Sequence, residues 1–479
     1  MSAPPRTAAL PAARRTVPAP LPVPAAADRG RPRRSRLLLA APLLLLAWGV
    51  PRLAQAVTPV PAPAAAYGLL AIGLSAAMMV LAYRRYDDPA ETVMRRRTAD
   101  AAAFPALPER PSVSFLLAVK DERDRVEACV RSMAASTWPD LEIVVVDDGS
   151  TDGTGDILRR LARELPVRLV TLERNMGKKH ALVRGVAHAG GQVIAFTDSD
   201  CVLAPDALAR CVAALRRHPE LGAVSGHARA LNVGRSRLAR LQDVWYEGQF
   251  RIAKAAESAF GAVTCVSGPL AVFRREAIED HLPAWAGDRF LGAEFRFATD
   301  RQLTGWVIGQ RWRRTAARPR PAAAAHAARP WRTAYCRSAW VWTAVPETPR
   351  AFLRQQVRWK KSFLRNLVFT GGFMWRLGAV PALLYYGHAV LVLASPFMVA
   401  AHLLWWPVQG LWVLTALYLA GVLVKGLAWG LAYRLDHPGC PHWRLRPLMS
   451  LLSATALAWL LPYALLTIRR GVWTRGVAR

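Results

Sequence analysis

Short apolar runs that end in acidic residues recur through the middle of the chain. Four of them are rich in β-branched residues: 112–119, 142–148, 167–173 and 193–200. Each has the length of a strand and is almost continuously apolar, which is typical of parallel strands buried on both faces. Amphipathic stretches with helical spacing lie between and after them, at 121–135, 154–164, 178–189 and 205–217. Strands that alternate with helices predict an α/β domain with a doubly wound sheet.

Longer apolar stretches flank this region. Residues 64–83 carry no charge and are long enough to cross a bilayer core of ~30 Å. Beyond the α/β region, the stretches 380–403 and 410–432 predict two further membrane spans. A last stretch, 447–467, contains a proline and precedes a basic tail. We expect this stretch to be broken or re-entrant, because a third simple crossing would place the basic tail on the outer side.

The first apolar run, 37–50, has two interpretations. The basic residues before it and the small residues Ala54 and Ala56 after it resemble a cleaved signal peptide. The polar region ahead of it is longer than such peptides usually carry, so a retained first span is favoured, and 37–83 becomes an N-terminal membrane region. Under either interpretation, the arginines that follow residue 83 place the next domain in the cytoplasm.

The rest of the chain divides by composition. Residues 1–36 hold eight Arg, eight Pro and a single acid, which predicts a disordered basic tail beside anionic lipid. We expect an α/β domain at 110–350, with a low-complexity basic insertion at 311–332. An amphipathic helix at 351–371, with Arg and Lys beside Trp and Phe, has an interfacial pattern. A C-terminal membrane region, 378–467, and a basic tail, 468–479, complete a multi-pass protein of the cell membrane.

Composition narrows the classes of function. Hydrophobic residues make up 53% of the 479 residues, which excludes a disordered chain. The 64 Lys and Arg against 33 Asp and Glu suggest polyanionic partners: nucleic acid, nucleotide phosphates or anionic lipid. The basic residues cluster in the tail, the insertion and the membrane flanks rather than on one face, so we expect no nucleic-acid partner. The six cysteines form no CxxC pair, which argues against a zinc site and a disulfide scaffold.

The acidic residues that follow the predicted strands carry the chemical signal. Parallel sheets bind ligands at the carboxyl ends of their strands, where Asp121, Asp148, Asp198 and Asp200 would lie. Two carboxylates one residue apart, as in 198–200, can share Mg²⁺ or Mn²⁺, and such a cation would neutralise a leaving diphosphate. A lone pair of this kind is more often a strand-end turn. A metal site is expected here because the acidic residues at 147–148 and at 198–200 occur together.

A lysine at a predicted helix start adds a second feature. Lys178 follows Gly177, where backbone N–H groups and the ammonium suit a phosphate, although a solvated helix start explains them equally well. The chain has no GxGxxG motif and no Walker loop, which argues against a dinucleotide-binding protein and against a P-loop nucleotide hydrolase.

Taken in order, six motifs are similar to those of family 2 glycosyltransferases with a GT-A fold. They are DDGS (147–150), GKKHAL (177–182), DSD (198–200), SGPLAVFRRE (267–276), TDRQLT (299–304) and QQVRW (355–359). Within that family the chain resembles the membrane-embedded hyaluronan synthase and chitooligosaccharide synthase (NodC-like) group. The resemblance covers roughly residues 110–479 apart from the insertion.

The resemblance implies a role for each matching residue. Asp121 and Asp148 correspond to contacts on the uridine side of the donor, and Lys178 to a ligand of its phosphates. Asp198 and Asp200 correspond to the donor and metal aspartates, so Mg²⁺ or Mn²⁺ is the expected cofactor. Asp300 matches the general base, although relatives usually carry an acid where this chain has Thr299.

Further matches surround these residues. Gln355 and Arg358 are expected at the donor diphosphate, and Trp359 at the acceptor sugar. Gly268 and Pro269 would shape the acceptor wall, although a plain turn explains them nearly as well. Trp473 and Arg475 resemble a gating motif, but the usual glycine after the tryptophan is missing.

The function implied is a processive, inverting hexosyltransferase that polymerises UDP-GlcNAc and UDP-GlcA and passes the growing polysaccharide through the bilayer. A chitin-like or poly-N-acetylglucosamine synthase that uses UDP-GlcNAc alone remains a close alternative. A non-processive transferase with a lipid-linked acceptor would need the nucleotide motifs but not QxxRW. The donor sugar, the linkage and the oligomeric state stay open.

Overall fold

The computed structural model describes residues 60–94, 104–297, 299–310 and 330–470, together with Gly49 and Trp312. The expected basic tail, nearly all of the first apolar run, its cleavage site and most of the 311–332 insertion lie outside the described residues.

One large sheet forms the centre of the α/β domain. Its strands are β1 Val113–Val119, β2 Leu141–Asp147, β3 Val167–Thr171, β4 Val193–Thr197, β5 Cys201–Leu203, β6 Leu221–Ala230, β7 Ala271–Arg274 and β10 Arg332–Thr343. A separate two-stranded hairpin pairs β8 Arg289–Phe290 with β9 Ala293–Glu294. The four strands expected from the apolar runs are confirmed, and three of them end before the acidic residues because those residues turn the chain.

The sheet is mixed, because it contains parallel and antiparallel strands. Its order is β3-β2-β1-β4-β7-β6-β10-β5, and β3, β2, β1 and β4 are parallel, as expected. Strand β7 runs antiparallel to both β4 and β6, and β5 runs antiparallel to β10. The sequence pattern did not predict β6 and β7, because β7 has only four residues and β6 contains Gly, Ser and His, so neither forms a clear apolar run.

Alternate residues of the central strands enter two separate cores. Phe115 and Leu117 of β1 lie in one buried cluster, and Leu116 lies in the other. Because side chains alternate across a strand, this pattern covers both faces of the sheet. The continuous apolar runs in the sequence follow from this two-sided burial.

Helices cover both faces and continue beyond the domain. They are α1 Ala62–Val80, α2 Val126–Ala134, α3 Thr154–Glu164, α4 Lys178–Ala187, α5 Ala207–Arg217, α6 Arg237–Glu247, α7 Ala255–Ser258, α8 Leu282–Ala286, α9 Thr299–Gly309, α10 Pro349–Gly371, α11 Ala379–Ala400, α12 Trp406–Val408, α13 Trp412–Asp436, α14 Arg446–Thr455 and α15 Leu460–Leu466. The interfacial-type helix expected at 351–371 is helix α10.

Two expected boundaries shift. Helix α2 begins five residues after the expected start at 121, because Asp121 has a positive φ of 52° and its carboxylate accepts the N–H of Thr151. The insertion ends before 332, since Trp331 is buried against Phe104 and Arg332 begins β10.

Within the described residues, three helical segments are long and apolar enough to cross a membrane. They are Ala62–Arg85, Ala379–Val408 and Trp412–Asp436. The last apolar stretch is broken, as expected, with a bend of 40° between α14 and α15. The break lies at Ala456, six residues before the proline, and the second half is packed against α10.

A buried polar cluster fastens the α/β domain to the apolar helices. Asp436, at the end of α13, accepts hydrogen bonds from Tyr83 at 2.7 Å and from Arg337 at 3.0 Å, and forms an ion pair with Arg251 at 3.0 Å. Both Asp436 and Arg251 are almost fully buried. Because a buried charge without a partner is costly, this cluster fixes how the domain sits on the helices.

Replacing Asp436 with Ala should therefore destabilise the whole protein. Arg251 would keep a buried charge that has lost its ion pair with Asp436, at a cost of about 3 kcal/mol or more. Thermal unfolding in detergent measures the effect.

The control is Asp206→Ala, which removes a half-exposed ion pair with Arg210 and should cost less than about 1 kcal/mol. A melting temperature of Asp436→Ala equal to that of this control would contradict the role given to the cluster.

Candidate active site

The expected site residues meet where the parallel strands end. Val119 of β1 lies beside Asp147 of β2, and Leu117 of β1 lies beside Thr197 of β4. The residues that follow these strands therefore share one edge of the sheet. They surround an open cleft, whose lining is Ala118, Val119, Lys120, Asp148, Asn175, Gly177, Lys178, Asp198 and Ser199.

Asp121 is held on the rim of this edge. Its Oδ1 accepts the N–H of Thr151 at 2.8 Å, and its Oδ2 pairs with Lys120 at 2.6 Å. Although partial burial opposes ionisation, Lys120 and the Thr151 N–H together lower the pKa of Asp121. An ionised carboxylate is thus presented beside the cleft.

Asp148 is buried and organises a loop. Its two oxygens accept the backbone N–H groups of Met176 and Gly177 at 2.7 and 2.9 Å. Burial raises the pKa of Asp148, and these two hydrogen bonds oppose that rise. The carboxylate therefore fixes the turn from which α4 begins, directly before Lys178.

Lys178 projects from the first turn of α4 and forms an ion pair with Asp198. Burial disfavours its charge, but the carboxylates of Asp198, Asp300 and Asp200 outweigh burial and raise the pKa of Lys178. The ammonium is therefore a permanent cation among three acids, and it is available for an anionic group that enters the cleft.

Asp198 and Asp200 offer carboxylate oxygens within 4.8 Å of each other and of the Cys201 thiol. Burial and the charge of Asp198 raise the pKa of Asp200 to about 6. Burial also raises the pKa of the Cys201 thiol well above its usual value, so the thiol stays protonated. The ionisable donors left are hard oxygens, which suit Mg²⁺ or Mn²⁺.

Gly268 brings a second segment against the acidic pair. A Cβ at this position would lie 2.7 Å from Oδ2 of Asp198, so a larger residue would displace the Asp198 carboxylate. Its N–H points to Oδ2 of Asp300 at 3.4 Å, and the carbonyl of Pro269 accepts the Thr197 hydroxyl at 2.8 Å. Gly268 and Pro269 thus stand between the acidic pair and Asp300.

Asp300 lies in the first turn of α9, on the other side of Gly268 from the acidic pair. Besides Gly268, the Cys265 thiol approaches its Oδ2 at 3.5 Å, while Lys178 lies within electrostatic range. The carboxylate has no tight ion pair among the described residues, which leaves it able to accept a proton.

The QxxRW helix α10 reaches the same edge through aromatic side chains. The ring of Trp359 lies 5.3 Å from Trp245 and 6.1 Å from Tyr246. Tyr246 is in turn within electrostatic range of Arg358 and Asp200. On the same helix, Oε1 of Gln355 is buried without a hydrogen-bond partner in the described part of the chain.

Two of the expected residues, Trp473 and Arg475, lie outside the described residues. The segment just before them is anchored: Lys361 of α10 donates hydrogen bonds to the carbonyls of Thr467 and Arg470 at 2.6 and 2.9 Å. The C-terminal tail therefore leaves from beside the QxxRW helix.

Sequence reasoning missed several residues that support the site. Lys254 is buried and donates hydrogen bonds to the Cys265 carbonyl and, at 2.7 Å, to the Ser267 hydroxyl, which holds the segment before Gly268. Tyr246 lies outside the six motifs, and its aromatic character alone predicts no role. Both lie on the continuous helical segment 237–258, whose irregular middle turn is not visible in a sequence pattern.

Comparisons with known proteins concern the family and the fold. Residues 114–282 match the family model described as glycosyl transferase family 2. An N-acetylglucosaminyltransferase of Rhizobium meliloti is 30% identical over 298 residues, which cover 60% of this chain and 64% of the relative. The match therefore spans a little under two thirds of that relative's length.

A hyaluronan synthase of Streptococcus pyogenes is 29% identical over 352 residues, covering 72% of this chain and 78% of the relative. Among solved structures, a mannosyltransferase of Pyrobaculum calidifontis in complex with GDP-Man and Mn²⁺ covers 90% of this chain and 98% of its own, with a TM-score of 0.50 and 22% identity. That likeness concerns the fold. The chain therefore carries a glycosyltransferase family 2 domain with a GT-A fold.

Proposed function

We propose that the protein is a processive, inverting glycosyltransferase that uses UDP-sugars and builds a polysaccharide. One observation carries the proposal: Lys178, Asp198, Asp200 and Asp300 converge on one sheet edge, with Gly268 close against Asp198. A cation, two cation-binding acids and a separate proton acceptor are the groups that this transfer needs. Relatives named hyaluronan synthase and N-acetylglucosaminyltransferase support the proposal.

The reaction assigns one role to each group. Asp300 accepts the proton of the acceptor hydroxyl as that oxygen attacks the anomeric carbon of the donor. The bond from that carbon to the diphosphate oxygen breaks with inversion, and UDP leaves with the electron pair. Lys178 and Arg358 bind the diphosphate charge, and Trp359 supplies a flat apolar surface for the acceptor ring.

Asp198 and Asp200 fit a divalent cation, because the charge of one carboxylate disfavours ionisation of the other when no cation lies between them. When bound, Mg²⁺ or Mn²⁺ would neutralise the charge of the leaving diphosphate. The Mn²⁺ in the solved mannosyltransferase complex supports a divalent cation here.

A row of basic side chains leads from the base towards the apolar helices. His388 of α11 lies within electrostatic range of Arg301, Lys360 and Lys425. Arg301 directly follows the base Asp300, and Lys425 lies in the middle of α13. Within the described residues, no carboxylate forms an ion pair with Lys360, His388 or Lys425. Ionisable groups inside membrane helices usually line a functional path.

This cationic row favours a negatively charged polymer. A chain with a uronic acid in each repeat would supply carboxylates to Lys360, His388 and Lys425, so we propose UDP-GlcNAc and UDP-GlcA as the donors. A neutral polymer made from UDP-GlcNAc alone is the second candidate, and the N-acetylglucosaminyltransferase relatives favour it.

The membrane arrangement belongs to the same proposal. The broken segment α14–α15 begins near α6 and ends where Lys361 holds Thr467, so both of its ends contact the α/β domain. We propose that it is re-entrant, that the segments 62–85, 379–408 and 412–436 cross the cell membrane, and that the domain is cytoplasmic.

The first prediction concerns the donors and the base. Purified protein with Mn²⁺ should release UDP only when UDP-GlcNAc and UDP-GlcA are both present, and should form a high-mass polymer. Asp300→Asn should lower kcat about 100-fold or more, because general-base catalysis contributes 10²–10⁴-fold, while UDP still binds.

Asp206→Asn, a carboxylate on the exposed face of the domain, is the matched control and should keep full activity. Release with UDP-GlcNAc alone would move the assignment to the neutral polymer. If UDP release required an added lipid acceptor, a non-processive transferase would replace the processive one.

The second prediction concerns the cationic row. Lys425→Met should shorten the polymer about fivefold, since losing about 1 kcal/mol of attraction per step favours early release by that factor. The donor KM should stay unchanged, because Lys425 lies away from the donor. Gel filtration of the product measures its length.

Arg376→Met is the control: it removes an exposed arginine that stacks on Trp375. Polymers of wild-type length from Lys425→Met would show that the row does not guide the product.

A further inference from the structure

A buried cluster of four polar side chains lies behind the active-site edge. Lys179 donates hydrogen bonds to the Gln302 side chain at 2.6 Å and to the Phe295 carbonyl at 2.9 Å. Its ammonium also lies 3.5 Å from Asp288, which forms a two-pronged ion pair with Arg365, one contact being 3.1 Å. All four side chains are at least nine-tenths buried. We call this group the Asp288 cluster.

Each helix that joins this cluster also carries a candidate site residue. Lys179 directly follows Lys178 on α4. Gln302 is two residues after Asp300 on α9, so the two side chains leave the helix about 200° apart, one to the cluster and one to Gly268. The cluster thus joins the helix of the phosphate ligand to the helix of the base.

The third helix is the QxxRW helix. Arg365 lies seven residues after Arg358 on α10, two turns along the same face and about 10.5 Å along the axis. Asp288, on the loop before β8, is the acceptor that connects Arg365 to Lys179. Asp288 therefore connects α4 to α10, and Lys179 connects both to α9 through Gln302.

The charges of the cluster indicate that it does more than stabilise the folded protein. Two cations share one carboxylate, so the cluster keeps an excess positive charge, and burial lowers the pKa of Lys179 to about 8. Buried ion pairs are often no more stable than an apolar packing of the same volume. What the pairs do provide is direction, because the guanidinium fork and the carboxylate fix the position and angle of their helices.

We propose that the Asp288 cluster positions the catalytic groups, setting the separation of Lys178, Asp300 and Arg358 for transfer. This inference rests on the proposed glycosyl transfer. Lys179, Asp288, Gln302 and Arg365 are positioning residues: they act through their neighbours and touch neither the sugar nor the diphosphate. Their loss should therefore lower kcat more than it weakens donor binding.

The test compares Asp288→Asn, Arg365→Met and Arg365→Lys with the wild type in the full-length protein. UDP release gives kcat and the donor KM, titration with UDP gives Kd, and thermal unfolding reports the folded fraction. Asp288→Asn and Arg365→Met should lower kcat about 100-fold per folded molecule, the cost of a misplacement of about 1 Å. The KM and the Kd for UDP should change less than about threefold, since Lys178 and the acidic pair remain.

Two further variants separate positioning from folding. Arg365→Lys keeps the charge but loses the fork, so its kcat should lie between those of the wild type and Arg365→Met. The double variant Asp288→Asn/Arg365→Met should be no slower than either single variant, because both remove the same interaction.

The matched control is Arg274→Met. Arg274 is equally buried and donates hydrogen bonds to the carbonyls of Leu221, Leu215 and Pro105. It pairs with Val193 at the start of β4, the end of the sheet opposite the site. Arg274→Met should lower the melting temperature and leave kcat per folded molecule unchanged.

The kcat per folded molecule separates a positioning role from a purely structural one. An unchanged kcat per folded molecule in the cluster variants, with only the melting temperature lowered as in Arg274→Met, overturns the positioning role alone. If Asp288→Asn and Arg365→Met do not fold, Arg365→Lys decides by the same readouts. A wild type that releases no UDP from any donor overturns the proposed function and the positioning role together.

Discussion

Repulsion among carboxylates at one edge of a sheet is the constraint on which this structure depends. Asp148 follows β2, Asp198 and Asp200 follow β4, and β1 lies between these two strands. Asp300 approaches from a helix on the other side of Gly268. Lys178 forms an ion pair with Asp198 of this group. The raised pKa of Asp200 shows that nearby positive charge does not fully offset its burial and the charge of Asp198. Such an edge is organised for a ligand that brings a metal cation together with an anionic group.

The surroundings keep that edge in place. Backbone N–H groups hold Asp148, Lys254 holds the segment before Gly268, and the Asp288 cluster joins the helices that carry Lys178, Asp300 and Arg358. A second buried cluster around Asp436 fastens the whole domain to the apolar helices. Polar interactions are thus concentrated where one element must keep a fixed relation to another. Apolar packing, which has little directional preference, fills the two faces of the sheet.

The sequence predicted the features that arise from local pattern. Strands β1 to β4 were recognisable because burial on both faces leaves a continuous apolar run, and the acidic residues after them marked the edge. Strand β7 was not recognisable, since four residues carry no periodic signal. The Asp288 cluster was also invisible: Lys179, Asp288, Gln302 and Arg365 are spread over 187 positions (179–365), and each alone resembles an ordinary surface residue. Their association depends on tertiary packing.

We propose that the acidic edge binds a nucleoside diphosphate together with a divalent cation. The most direct test is UDP affinity by calorimetry, with and without Mn²⁺, for the wild type and for Asp200→Asn. Mn²⁺ should strengthen UDP binding to the wild type about tenfold or more, equivalent to about 1.4 kcal/mol. Asp200→Asn should lose this gain. An affinity for UDP that is the same with and without the cation would contradict the proposal.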